Sequence, residues 1–153
     1  MSSIKFNIIF GLIVPWLFGL FHLNRKDRTL IPSIGPIVVA FSLLVNELGF
    51  FLGFWKIKPF NIDQTMSAMP YDFGFYLIVK CYMIYLIKNS KYSYSILFIF
   101  AFLTTMVEWT LAFFGIVSYG NGWNIMWTFF SYFIPNIIVY WFYRYLVKLN
   151  IQT

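Results

Sequence analysis

Five hydrophobic runs follow one another along this chain, separated only by short polar stretches. Each run is close to the ~20 residues that an α-helix needs to cross the ~30 Å apolar layer of a bilayer. The chain is 61% hydrophobic and only 10% charged, whereas about a quarter of the residues in a soluble domain are charged. The runs therefore predict an all-α, polytopic membrane protein built as a bundle of five transmembrane helices.

The predicted helices cover approximately residues 7–23, 32–55, 71–88, 92–119 and 124–149. Because the connections leave no room for a soluble module, residues 1–153 are expected to form a single transmembrane domain. The longest connection, residues 56–70, contains two prolines and no periodic pattern, which predicts a re-entrant or interfacial loop. Pro15 predicts a kink in the first helix, because proline removes one helical hydrogen bond.

Lys and Arg residues collect at one end of the predicted bundle. That end holds seven of them, and the opposite end holds three. Loops rich in Lys and Arg stay on the cytoplasmic side, so the N-terminus is expected outside the cell and the C-terminus in the cytoplasm. Orientation also accounts for the net charge of +6, and no nucleic-acid partner is expected. The larger group comprises Arg25, Lys26, Arg28, Lys88, Lys91, Arg144 and Lys148, and the smaller group Lys5, Lys56 and Lys58.

One carboxylate, Glu108, lies in the middle of the fourth hydrophobic run. A charge at that depth costs a few kcal/mol and usually faces the protein interior, a cavity or a partner. Glu47 and Lys80 fall at a similar depth, about 12 to 17 Å from the outer surface at ~1.5 Å per residue. We therefore expect an outward-opening polar pocket floored by Glu47, Lys80 and Glu108, with Asp72 at its mouth.

Other polar side chains are expected to contribute to this pocket. Asp72, Tyr76 and Lys80 recur every four residues, which places them on one face of a helix. Small residues beside Asn46 let a neighbouring helix approach closely. The expected ligand-binding residues are Asn46, Glu47, Asp72, Tyr76, Lys80, Glu108, Trp109 and Asn136.

The sequence offers little for a metal or cofactor. Cys81 is the only cysteine and His22 the only histidine, which excludes an intrachain disulfide and a Cys-based metal cluster. The chain also lacks a glycine-rich phosphate loop and the short motifs of common hydrolases. No metal site and no cofactor are expected.

Three functions stay open from the residues alone. The first is a protein of the cell membrane that binds or transports a small apolar molecule or lipid. The second is an enzyme doing acid/base chemistry on an isoprenoid or other lipid, with Glu108 or Glu47 as proton donor. The third is a structural or partner protein whose buried charges only fix helix register. The chain has no inverted repeat, which disfavours a self-contained transporter, although a homo-oligomer would supply what one chain lacks.

Several short stretches carry a resemblance to a known family: NELGFFLGFW (46–55), PF (59–60), MPYDFGFYLI (69–78), EW (108–109) and YGNGWN (119–124). They resemble an uncharacterised family of small multi-pass membrane proteins of Bacillus-type and Clostridium-type bacteria, over nearly the whole chain. The resemblance implies a bacterial plasma-membrane protein and carries no activity. Carboxylates among aromatic residues are also similar in style to small membrane isomerases and cyclases of isoprenoids or sterols, which is an analogy of fold only.

Overall fold

The computed structural model describes residues 3–149, which form five long helices and one pair of short strands. The elements in chain order are α1 (Ser3–Lys26), α2 (Leu30–Phe51), β1 (Trp55–Ile57), α3 (residues 64–88), α4 (Ser93–Phe113), β2 (Val117–Tyr119) and α5 (Ile125–Lys148). Helices α1, α2, α4 and α5 are long and apolar enough to cross a membrane. The structure thus agrees with the predicted helical, multi-pass membrane class. Five crossings and an outside N-terminus stay predictions.

Helix α3 is the central helix of the bundle and contacts each of the other four. Its second half is buried on nearly every side, with Cys81, Met83 and Ile84 fully enclosed. It also carries Asp72 and Lys80 and is not among the helices apolar enough to be a membrane span. The burial of α3 explains its more polar sequence, because a helix surrounded by other helices can carry polar groups that a lipid-facing helix cannot.

Helices α1 and α3 approach each other until their backbones touch. A Cβ added at Gly74 would lie 2.1 Å from the carbonyl oxygen of Gly11, a distance that no side chain can occupy. Both helices are π-helical where they meet, over Asn7–Ile13 and Tyr71–Tyr76. The helical conformation of α1 continues through Pro15. Two glycines facing each other therefore set the spacing of this helix pair.

Two helices end earlier in the structure than their hydrophobic runs predict. Helix α2 ends at Phe51, and α4 ends at Phe113. Each is followed by a glycine with positive φ, Gly53 at 67° and Gly115 at 65°. The chain then enters β1 and β2, which pair antiparallel. Apolar strand residues extend a hydrophobic run as well as helical ones do, which is why the sequence pattern placed both boundaries too late.

The connection after β1 is also more ordered than its sequence predicts. Residues Gln64–Pro70 are helical and form the start of α3. Asp63 caps this helix, because its side chain accepts hydrogen bonds from the backbone N–H groups of Thr65 at 2.8 Å and Met66 at 3.3 Å, as aspartate favours at this position. Asn7 on α1 donates to the Lys58 carbonyl oxygen at 2.7 Å. The expected loop of residues 56–70 is thus a strand, a turn and a helix start.

The end of the bundle opposite the strands is tied together by an ion pair. The Lys88 ammonium lies 3.1 Å from Asp27 Oδ2, and the backbone N–H of Thr29 donates to Asp27 Oδ1 at 3.0 Å. Partial burial opposes ionisation of Asp27, but hydrogen bonds from Thr29 and Lys88 outweigh it and hold the pKa of this carboxyl below its usual 3.8. The pair joins the α1–α2 connection to the end of α3.

Replacing Asp27 by Asn is expected to cost at most about 1 kcal/mol at neutral pH, because solvent screens a partly exposed pair. A carboxyl with a lowered pKa in the folded state stabilises above its unfolded pKa, and that contribution disappears as pH falls through the lowered value. The difference in thermal midpoint between the wild type and Asp27→Asn should therefore be present at neutral pH and vanish in acid, below the lowered pKa of Asp27. A difference that persisted unchanged in acid would contradict this assignment.

Candidate functional site

A pocket opens between α2, α3, α4 and α5 beneath the paired strands. Its empty volume is about 820 Å³, counting the open mouth. Most of the wall is apolar or aromatic, and the strands contribute Trp55, Ile57 and Val117. The polar side chains that line it are Ser42, Asn46, Tyr71, Tyr76, Lys80, Glu108, Ser131 and Tyr132. The pocket is therefore a mainly apolar space with a few polar groups converging on it.

Glu108 on α4 lines the pocket and accepts three hydroxyl hydrogen bonds. Tyr119 donates to Oε1 at 2.8 Å, Thr128 donates to Oε1 at 3.3 Å, and Tyr132 donates to Oε2. The Trp123 indole N–H donates to the Thr128 hydroxyl at 2.9 Å, which extends the network toward the strands. An ionised carboxylate can only accept, so hydroxyl donors are the partners that suit it. The network fixes α4 against β2 and α5.

Lys80 on α3 lines the same pocket and is 4% exposed. Its ammonium donates to the Asn136 side-chain oxygen, and Asn136 in turn donates to the Leu97 carbonyl oxygen at 3.0 Å. The ammonium also lies 5.6 Å from the ring centre of Tyr132, a cation–π distance. Within residues 3–149, no carboxylate lies within ion-pair distance of Lys80. Neutral dipoles and an aromatic face are therefore its protein partners.

Asp72 lies behind the pocket wall and not at the mouth where the sequence placed it, and it is 1% exposed. Its Oδ1 accepts from the Ser42 hydroxyl and from Asn46 Nδ2, the latter at 2.7 Å. Asn46 Oδ1 accepts from the Trp55 indole N–H at 3.3 Å. Among the residues that the structure describes, Asp72 Oδ2 has no hydrogen-bond partner. The carboxyl group thus positions Ser42 and Asn46, whose side chains reach the pocket.

Glu47 and Trp109 lie outside the pocket. Glu47 is exposed on α2 and accepts a hydrogen bond from the Thr65 hydroxyl. Trp109 is 55% exposed on the outer face of α4. Each follows a pocket residue by one position, and one position turns the side chain by about 100° around a helix. Glu47 was predicted to join Lys80 and Glu108 because the three have similar depths in the membrane. The Glu47 side chain points to another side of its helix and therefore lies apart from them.

The facing polar stripe on α5 was missing from the sequence-based candidates except for Asn136. Thr128, Tyr132 and Asn136 recur every four residues, the same pattern as Asp72, Tyr76 and Lys80 on α3. The two stripes meet across the pocket, where the hydroxyl oxygens of Tyr76 and Tyr132 lie 2.9 Å apart. This periodicity is visible in the sequence and would have identified Tyr132. The role of Trp123 as a donor to Thr128 has no sequence signal.

The two residues with metal-binding chemistry lie elsewhere. His22 stacks on the Tyr82 ring with the ring centroids 5.6 Å apart, and Cys81 is buried beside the Leu30 carbonyl oxygen. Residues 3–149 contain no group of three or more His, Cys, Asp or Glu arranged to hold a metal ion. No protein-family model, no curated protein and no solved structure matches this chain, so its pocket is the feature from which a function is argued.

Proposed function

We propose that this chain is a multi-pass protein of the cell membrane that binds or transports a small molecule or lipid in the pocket between α2, α3, α4 and α5. The observation that carries the proposal is the composition of the pocket: aromatic and aliphatic walls, with Lys80 and Tyr76 reaching it from α3 and Glu108 from α4. Apolar cavities with a few well-placed polar groups are the usual form of small-molecule sites.

The separation of the buried Lys80 from the partly buried Glu108 favours this function over a structural role. Charges that serve only to fix helix register gain most by pairing with each other, because an unpaired buried charge is costly. Here Lys80 bonds to Asn136, and Glu108 bonds to three hydroxyl groups. Both charged groups line one pocket without neutralising each other directly. That arrangement suits a site in which a ligand completes the polar contacts.

In the proposed arrangement all five long helices cross the membrane. The Asp27–Lys88 contact places the α1–α2 connection and the end of α3 at the same end of the bundle, and this end carries most of the Lys and Arg. The paired strands lie at the other end. With the basic end in the cytoplasm, the strand-covered end of the pocket faces outward.

Blocking the pocket is expected to remove a bound molecule without unfolding the protein. Ser131 lines the pocket on α5, so Ser131→Trp should fill the space. Val107 is exposed on α4, so Val107→Trp is a matched control that points away from the pocket. Mass spectrometry of extracts from the purified protein should recover a bound molecule from the wild type and Val107→Trp, and at least about tenfold less from Ser131→Trp.

Fluorescence provides a second measurement of the same proposal. Trp55 and Trp123 line the pocket with ring centroids 4.8 Å apart, so an occupant should change tryptophan emission. The change should appear when a lipid panel is added to the wild type and be absent in Ser131→Trp. Binding in this pocket would be refuted if Ser131→Trp and Val107→Trp yielded equal amounts of bound molecules. It would also be refuted if the wild type yielded no bound molecule and its emission did not change.

A specific contact keeps an enzyme as the second candidate. Glu108, Tyr132 and Tyr76 form a continuous chain of hydrogen bonds beside the pocket, and such a chain can pass a proton to a bound lipid. Glu47, the other proton donor considered, does not line the pocket. The molecules recovered from the wild type and Glu108→Gln distinguish the two functions. Identical molecules indicate binding, whereas a chemically altered molecule found only in the wild type indicates catalysis.

A further inference from the structure

We propose that the ligand of this pocket carries an anionic group, a carboxylate or phosphate, which binds the Lys80 ammonium while its apolar body lies against the aromatic wall. The inference rests on the proposed function and adds the charge of the ligand and the residue that recognises it. It starts from the hydrogen-bonding capacity of Lys80.

The Lys80 ammonium has more donors than the protein has acceptors for it. A protonated lysine offers three N–H groups, and residues 3–149 provide one acceptor, the Asn136 side-chain oxygen. The Tyr132 ring face, at 5.6 Å, receives the charge from another side. Because Lys80 is 4% exposed and lines the pocket, the remaining donor capacity is available to a molecule inside the pocket. An oxyanion is the acceptor that forms the strongest hydrogen bond with an ammonium group.

In the described part of the chain, the pocket also lacks a counter-ion at the position of Lys80. Buried charges in proteins are normally paired. Glu108 is the other charged residue of the pocket, but it lies beyond ion-pair distance and already accepts from Tyr119, Thr128 and Tyr132. Asp72 lies behind the wall, bonded to Ser42 and Asn46. A ligand anion would supply the charge that these two carboxyl groups do not bring to Lys80.

The rest of the pocket determines the body of the ligand. Phe41 and Val38 line it on α2 and Val139 on α5, and Trp55 and Trp123 line it toward the strands. This wall suits a hydrocarbon or aromatic body and excludes a strongly hydrated one. Two sources share the required chemistry, which is an oxyanion on an apolar body. One is a fatty acid or acidic lipid from the bilayer, and the other is a water-soluble aromatic acid.

The test compares ligands that differ only in the head group. Full-length protein in nanodiscs of phosphatidylcholine, which has no net charge, is titrated with oleate and with oleyl alcohol, and phenylacetate represents the soluble source. Tryptophan emission reports binding. Oleate or phenylacetate should bind the wild type at least about tenfold more tightly than the alcohol with the same body, oleyl alcohol or phenylethanol. A preference for oleate over oleyl alcohol indicates a lipid from the bilayer, and a preference for phenylacetate over phenylethanol indicates a water-soluble acid.

Variants then assign the preference to Lys80. Lys80→Met should reduce the acid-over-alcohol ratio to about twofold or less, whereas Lys58→Met removes a positive charge outside the pocket and should leave the ratio unchanged. Asn136→Asp gives Lys80 a protein counter-ion while retaining the lysine, so it should also remove the preference. Asn136→Asp therefore tests the same inference if Lys80→Met does not fold.

The outcomes separate this inference from the proposed function. If acids and alcohols bind the wild type equally, the pocket binds ligands but Lys80 does not select an anion, and the inference alone is wrong. If the preference survives in both Lys80→Met and Asn136→Asp, the anion binds elsewhere. If neither acids nor alcohols bind, both the inference and the proposed pocket function fail.

Discussion

Replacing Gly74 by alanine is expected to destabilise the protein by about 3 kcal/mol or more, because the new methyl group would overlap the backbone of another helix. The added Cβ would lie 2.1 Å from the Gly11 carbonyl oxygen and 2.6 Å from the Leu12 Cα. A flexible side chain could move away from such a contact, but a helix backbone cannot without shifting the whole of α1. Unfolding in mixed micelles with increasing denaturing detergent would measure the loss.

Gly35 provides the matched control. It is also a buried helical glycine, but a Cβ there would lie 3.5 Å from Leu77 Cδ1, an ordinary contact distance. Gly35→Ala should therefore be neutral or stabilise by up to about 1 kcal/mol, since alanine favours the helix over glycine. Equal stability of the Gly74 and Gly35 variants would show that α1 and α3 do not touch at Gly11 and Gly74.

Replacing Asn136 by leucine is expected to cost about 3 to 5 kcal/mol, because it removes the acceptor of a buried lysine. Asn136 is fully buried and is the one hydrogen-bond acceptor for Lys80 within residues 3–149. Leucine has a similar volume, so the loss arises from the uncompensated ammonium group and not from a cavity. The same detergent unfolding measurement applies.

A double-mutant cycle isolates the Lys80–Asn136 interaction. If the cost of Asn136→Leu comes from the lysine charge, then Lys80→Met in the same chain should recover most of it, giving a coupling of about 2 kcal/mol or more. Replacing both polar partners by apolar side chains of similar size is often neutral. Additive losses in the double variant would mean that Asn136 stabilises the fold through its bond to Leu97 and not through Lys80.

The site was predictable where one helix carried a complete pattern. Asp72, Tyr76 and Lys80 recur every four residues, so their shared face followed from helix geometry alone. The matching stripe of Thr128, Tyr132 and Asn136 on α5 has the same spacing and is visible in the sequence, but it contains no charged residue to mark it within an apolar run. Its contact with Tyr76 at 2.9 Å appears only when the two helices are placed side by side.

The direction in which each helix faces was not predictable in the same way. Glu47 and Glu108 have similar depths, yet Glu108 lines the pocket and Glu47 is exposed on the outside of α2. Depth follows from counting residues along one helix. Facing depends on which neighbouring helix a side chain meets, and that is set by packing between segments far apart in the chain.

The sequence by itself determined the helical membrane class, because the transfer free energy of each apolar run is a local property of its residues. Glu108 was also identified from the sequence alone as a candidate site residue, since a charge in such a run is costly wherever its helix lies. The tertiary structure decided that α3 is central, that two hydrophobic runs end in paired strands, and that Lys80 and Glu108 share a pocket without Glu47. These features depend on contacts such as that of Gly11 with Gly74, in which the fit of one helix against another fixes the direction of every side chain.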